Sequence, residues 1–285
     1  MIYRTRSALA AFALVSLSLS TSALAQDEPV KEPTIFDGDF LTVGVAGAIT
    51  PSYEGSDDYI VTPAPAVAGR IAGIGITPRV GGLALDFIND PDDAKVKMQL
   101  GPVVRLRLDR TRQIKDEVVA RLGKLDTAVE VGANAGFSIS GITNPYDSLT
   151  FSVDMRWDVA GAHRGEVIAP NATFQTPLSK ASYAVLNISA EHVDDNYADY
   201  YFSVTPAGSA ASGLRPYQAQ GGWKNISAGL IGALDLDGDL TNGGWAIFAA
   251  GNYSRVLGNF ERSPIVADRG SANQWTGAIG IGYTF

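Results

Sequence analysis

Between Leu149 and Val159 every odd position is apolar and every even one polar: Leu149, Phe151, Val153, Met155, Trp157 and Val159 alternate with Thr150, Ser152, Asp154, Arg156 and Asp158. A period of two marks a strand with one face in an apolar medium and the other in a polar one. Positions 128–140 repeat it, with Val129, Val131, Ala133, Ala135, Phe137 and Ile139 against Ala128, Glu130, Gly132, Asn134, Gly136 and Ser138. So do positions 96–109, where Val96, Met98, Leu100, Pro102, Val104, Leu106 and Leu108 oppose Lys97, Gln99, Gly101, Arg105 and Arg107.

Length separates two architectures. Strands of ordinary globular proteins run about 5–6 residues, whereas a tilted transmembrane strand needs about 9–11. The alternating segments here run about ten to fourteen, which favours a membrane barrel. Candidate strands fall near 40–49, 60–72, 74–88, 96–109, 126–140, 148–160, 165–177, 182–193, 224–237, 243–256 and 273–285. That is an odd number, and single-chain bacterial barrels have even ones. Splitting 74–88 at Gly81-Gly82 gives twelve; merging the weaker segments near 60–88 gives ten. The expectation is an all-β, antiparallel transmembrane β-barrel of 10–12 strands, twelve preferred.

In hydrocarbon only helices and closed sheets satisfy every backbone group, so the apolar faces turn to lipid and the polar faces to the lumen. Lys97, Arg105, Arg107, Glu130, Asp154, Arg156 and Asp158 are then lumen-facing charges. They fit either a hydrogen-bonded network that fills and stiffens the barrel or an ion-selective pore; small barrels fill their interiors with side chains, which favours the network. Trp157, Trp245, Tyr253, Trp275, Tyr283 and Phe285 fall at strand ends, where amphipathic rings anchor at the lipid interface. The stretch from Trp275 to Phe285 reads as the closing strand, pairing near Phe40 so that no edge remains, and its terminal Phe resembles a signal for outer-membrane assembly machinery. Counting back from it makes 258–272, 194–222 and 110–124 extracellular, the last with room for a short helix, and 235–244 a periplasmic turn.

The front of the chain sets the compartment. Arg4 and Arg6, an apolar run from Ala8 to about Leu19, and Ala23-Leu24-Ala25 form a secretory signal peptide with cleavage after Ala25. Residues 26–39 are a polar, Pro-containing periplasmic lead-in, and 40–285 are the barrel. A net charge of −8 argues against nucleic acid as a partner. With no cysteine, closure cannot come from disulfides. After residue 25 no apolar run is long enough for a helical span.

Few stretches suggest chemistry. In "DLDGDLTNGG" (235–244), Asp235, Asp237 and Asp239 have calcium-loop spacing, but Leu240 stands where the loop needs Gly and Ala246 where it needs Glu. An Asp/Gly-rich turn explains it better. His163 and His192 raise the possibility of a lipid-modifying barrel enzyme. No G-x-S-x-G elbow exists, and neither histidine has a locally spaced serine. No catalytic, cofactor-binding or metal residue is assigned. "YEGSDDY" (53–59) reads as a hydrated loop with Tyr53 and Tyr59 at the membrane interface.

Three segments carry a family resemblance: "PSYEGSDDYIVTPAPAV" (51–67), "YYFSVTPAGSAASGLRPYQAQGG" (200–222) and "YSRVLGNFERSPIVADRGSANQWTGAIGIGYTF" (253–285). Together they resemble the MipA/OmpV family of Gram-negative outer-membrane proteins. The resemblance implies an outer-membrane barrel without catalytic residues, set in outer-membrane lipid. It further implies a scaffold that joins a murein lytic transglycosylase to a murein synthase. The competing functional classes are a small channel for ions or solutes and, more remotely, a lipid-modifying enzyme.

Overall fold

The strand ladder is the expected alternation made physical. The computed structural model describes residues 34–91 and 93–285; the expected signal peptide and most of the expected lead-in lie outside them. Twelve strands follow in order: β1 (Phe40–Pro51), β2 (Tyr59–Ile71), β3 (Ile74–Arg79), β4 (Gly82–Asp86), β5 (Val96–Arg107), β6 (Ala128–Ser140), β7 (Ser148–Asp158), β8 (Glu166–Ser179), β9 (Ser182–Val193), β10 (Gly222–Asp235), β11 (Gly244–Val256) and β12 (Asn273–Thr284). Each pairs antiparallel with its chain neighbours, and β12 closes on β1 from Thr42·Thr284 to Ile49·Gly277. The segment 74–88 is indeed two strands. Gly81, at φ 74°, makes the turn, and Gly82 comes so close to β5 that a Cβ there would sit 1.9 Å from the Val104 carbonyl oxygen. β3 and β4 are short, and β2 pairs with β3 only through Gly69, Arg70 and Ile71.

The apolar faces point outward. Val43, Val45, Met98, Leu100, Phe151, Val153, Ile279 and Ile281 are all exposed on the outer wall. Only lipid makes such a surface favourable, and the sheet closes on itself around the barrel. Among the described residues no helix is long and apolar enough to cross a membrane. This is a transmembrane barrel of the outer membrane. Its short turns mark the periplasmic end and its long segments the extracellular one. Trp245 and Phe285 both contact the Tyr283 ring at the periplasmic end, at 5.0 and 4.7 Å between centroids. Tyr253 and Trp275 meet at the other end, at 4.9 Å, and Trp157, at the top of β7, donates its indole N–H to Glu166.

The extracellular segments fold into a cap. Short helices α1 (Glu117–Ala120), α2 (Asp195–Phe202), α3 (Pro206–Ser212), α4 (Gly258–Glu261) and α5 (Pro264–Ala267) lie in it. Side-chain caps start the first three: Asp116 accepts from the amides of Val118 and Val119, Asp194 from Tyr197, and Thr205 from Gly208. Tyr197, Tyr201, Phe202, Phe260 and Val266 bury themselves against the strand tips at Val167, Val193 and Val256. A second cluster gathers Tyr53, Val119, Val204, Leu214 and Ile265. Tyr53 is therefore in the cap's core rather than at the membrane interface, with its hydroxyl on the Arg269 carbonyl; neighbouring apolar loop residues supply a better home than lipid headgroups. Tyr59 does sit at the wall, at the start of β2.

Candidate functional site

Directly beneath the cap, a layer of charged side chains crosses the lumen. Its centre is Glu130 on β6, fully buried. One carboxylate oxygen accepts from Arg107 Nε at 2.6 Å and the other from Arg156 Nε at 3.0 Å. Arg156 continues to Asp154 at 3.1 Å and to Glu191 at 3.1 Å. Asp154 also takes a bidentate grip from Arg79 on β3 (2.8 and 3.2 Å) and an amide hydrogen from Asn134 at 2.6 Å. Glu191 on β9 meets Arg105 Nη1 and Lys224 Nζ, each at 2.5 Å. Lys224 reaches up to Glu54 in the β1–β2 loop at 2.7 Å.

The cap closes onto this layer. The Tyr197 hydroxyl donates to Glu54 at 3.2 Å and accepts from Lys224 at 3.1 Å. Arg107 and Lys224 both lie against the Tyr197 ring, at 4.9 and 5.0 Å, close enough for cation–π attraction. His163 packs edge-on against Tyr197 and places Nε2 3.5 Å from Glu130, while Nδ1 accepts the Gly165 amide hydrogen. With Nδ1 taken by that amide, Nε2 is the nitrogen left facing Glu130. Opposite charges thus lie within contact distance throughout, in a site sealed from outside. Such a layer is rigid: removing any one member strands a buried charge.

Arg105, Arg107, Glu130, Asp154 and Arg156 meet in this layer. Lys97 is on the inward face of β5 but near the periplasmic end, opposite Ser138. Asp158 shares the inward parity of β7, yet it sits at the rim and accepts the amides of Val129, Ala160 and Arg164. Sequence reasoning missed Glu54, Arg79, Glu191 and Lys224, and it weighed His163 only as a catalytic candidate, not as a member of this layer. Lys224 is a β-bulge: Trp223 pairs with His192 and Asn225 with Glu191, leaving the lysine as the extra residue. The bulge lets Lys224 and Asn225, adjacent in sequence, both point inward and shifts the phase so that Ile226 faces out. The doubled polar pair ahead of an alternating run is the signal a period-two reading passes over.

His192 packs edge-on against Trp223 at 5.3 Å, away from His163. The Asp235 carboxylate at the periplasmic turn accepts three backbone N–H groups, from Asp237, Gly238 and Asp239. Its oxygens hold the turn. Among the described residues no group of three or more His, Cys, Asp or Glu is placed to hold a metal.

The family model described as MltA-interacting protein MipA matches residues 43–285. The MltA-interacting protein of Escherichia coli (strain K12) is 26% identical over 143 residues, 49% of this chain and 47% of that protein; that of Shigella flexneri matches equally. The chain spans about half the length of the curated relatives it matches. Among solved structures, the CymD monoaromatic hydrocarbon channel aligns over 86% of this chain and 87% of its own at 11% identity, with a TM-score of 0.35. The OccK11 protein of Pseudomonas aeruginosa aligns over 89% and 98% at 10% identity, with a TM-score of 0.31.

Proposed function

The chain belongs to the MipA family of MltA-interacting proteins, and on that premise we propose that it is a non-catalytic barrel that holds partners at the inner face of the outer membrane. A murein lytic transglycosylase is the first partner, as the relatives' name suggests, and a murein synthase the second. Residues 1–25 serve as its export signal. The observation that carries this reading is the charged layer. A lumen crossed by Arg107, Glu130, Arg156, Glu191 and Lys224 in direct contact supports a stiffened anchor over a water-filled axial pore. The periplasmic turns and the acidic lead-in supply the contact surface. Affinity capture from detergent extracts tests it: a murein hydrolase or synthase should copurify, and repeated absence of both would sink the scaffold.

The lumen charges also motivate an axial channel. The same layer argues against it, because a permeant ion needs separated charges and a continuous water path. An enzymatic role would need a nucleophile beside a histidine. His163 is engaged by Gly165, Glu130 and Tyr197 instead. Replacing His163 and His192 should leave phospholipid turnover unchanged; a loss of turnover would restore the enzyme reading.

A further inference from the structure

The barrel wall has a gap. β2 pairs with β1 along its whole length, from Phe40·Arg70 to Pro51·Tyr59. On its other side it pairs only through Gly69–Ile71. From Tyr59 to Ala68 no ladder pair joins that side to another strand among the described residues, and above Ala66 no strand stands opposite it, because β3 ends at Arg79 and the hairpin turns back at Val80-Gly81. The gap lies in the extracellular half. It is bounded above by Glu54, whose amide donates to Asp109 at 2.7 Å, and below by the β3–β4 hairpin.

Backbone direction shows that the gap cannot zip shut. Leu41 exchanges both backbone bonds with Phe285. Odd positions of β1 therefore bond β12 and even ones bond β2, since bonding sides alternate along a strand. By the register, the even positions of β2 face β1. The odd ones, Val61, Pro63, Pro65 and Val67, face the gap. On the opposite lip, Ile74 pairs with Ile71 across a two-residue turn, so Ile74, Ile76 and Pro78 face β2. Continuing the register past Gly69·Ile76 would set Val67 opposite Pro78. Pro63, Pro65 and Pro78 thus all stand where an N–H would point into the gap, and none has one. Proline on an unpaired edge blocks pairing with the sheet's own neighbour and with any added strand alike. That rules against β-strand addition by a partner protein.

The gap opens onto one side of the lumen in particular. The inward residues of β12, β1 and β2 there are Ala278, Gly280 and Gly282, then Gly44, Ala46 and Ala48, then Thr62, Ala64 and Ala66. None is charged. The charged layer stands on β3 and on the far wall from β5 to β10, and Arg70 on β2 lies below the gap, where β2 pairs with β3. Exposed backbone at membrane depth is tolerated where it lines a water-containing cavity, and the free carbonyls of the β2 lip meet that condition only if the gap joins lumen to bilayer.

We propose that this gap is a lateral portal through which small, uncharged, apolar molecules pass between the outer leaflet and the lumen. The capped mouth excludes the axial route from outside. The Ala/Gly/Thr wall receives the solute without a charge to desolvate, and Val61, Pro63, Pro65 and Val80 make its lipid-side rim. This goes beyond the scaffold role and does not depend on it.

The chain has no cysteine, so Ala64→Cys gives a single inward thiol beside the gap. In phosphatidylcholine vesicles, pyrene maleimide dissolved in the bilayer should label it, while a sulfonated methanethiosulfonate added on the cap side should not. Adding Pro63→Val, Pro65→Val and Pro78→Val restores the three donors and should abolish most pyrene labelling, with heat-modifiable mobility confirming a folded barrel. If the triple variant does not fold, Pro65→Val alone should lower labelling in the same direction. Absence of labelling in the parent, equal labelling after proline replacement, or fast labelling by the charged reagent would each overturn the portal.

Discussion

Arg105 on β5 and Glu191 on β9 touch at 2.5 Å, although β6, β7 and β8 stand between their strands in the wall. A contact between such distant strands runs through the lumen, so this pair braces the wall across a third of the barrel's circumference. Glu191 also takes Lys224 and Arg156. Arg107 Nη2 lies 3.6 Å away as well, so replacing Glu191 with alanine leaves four cations without their shared partner. Breaking a buried ion pair from one side costs about 3–5 kcal/mol. Glu191→Ala should lower the urea midpoint of the detergent-folded barrel and the temperature of its heat-modifiable shift. An unchanged midpoint would mean the layer contributes nothing to stability.

The same bracing bears on conductance. With Glu130, Arg107 and Arg156 in contact beneath a packed cap, refolded protein in planar bilayers should show no steady porin-like steps across voltages and salts. Regular open steps in the wild type would contradict the closed axial route.

The cap is held to the rim by Asp116, which caps α1 and takes Arg269 Nη2 at 2.6 Å. Burial opposes ionisation of this carboxyl, but the Arg269 guanidinium and the Val118 and Val119 amides outweigh it and hold its pKa below the ordinary value. A depressed acid contributes stability that is fully present above its unfolded pKa, about 3.9, and is lost as pH falls through the folded value. Protease cleavage within 108–127 should therefore be slow from neutral pH down to about 4 and accelerate below it. Arg269→Ala should bring the cleavage to neutral pH; a flat profile in both proteins would remove the clip.

Much of this architecture is readable in the chain. Alternation through β5, β6 and β7 is clean because one face meets lipid and the other a polar lumen, with no third environment to blur it. Gly81-Gly82 announced the β3–β4 turn for a local reason, the backbone geometry that only glycine takes easily. The partners within the site were less legible. Glu54 lies in a loop and Glu191 near a strand end, where alternation fades, and Lys224 owes its direction to a bulge. Which charges meet depends on barrel closure, a property of all twelve strands together. The prolines of β2 are plain in the sequence, but their meaning needs the register.

Asp109 is the counterpart of Asp116. Burial, and then repulsion from Glu54, raise its pKa, against the Glu54 amide and the Arg110 and Arg107 charges that pull it down. A raised acid costs stability at pH above its folded value, and that cost is relieved as pH falls. Asp109→Asn keeps an oxygen to accept the Glu54 amide and removes the charge. It should be at least as stable as wild type at neutral pH, with the difference shrinking toward about pH 4. A variant clearly less stable at neutral pH would show that the ionised carboxylate is needed.

Close strand packing makes the last prediction. A Cβ on Gly132 would lie 1.8 Å from the Met155 carbonyl oxygen on β7 and 2.7 Å from its carbon. Those are backbone atoms in a ladder that pairs Gly132 with Arg156, so no side chain can swing away to make room. Accommodating the methyl must push β6 and β7 apart beside Glu130 and Arg156, at the densest part of the charged layer. Overpacking of this kind costs about 1–3 kcal/mol or more. Gly132→Ala should lower the yield and thermal stability of the folded barrel. Gly47→Ala, on β1, is the control, since its Cβ would meet nothing within 4 Å. Equal stability of the two variants would show that the β6–β7 approach is looser than 1.8 Å implies.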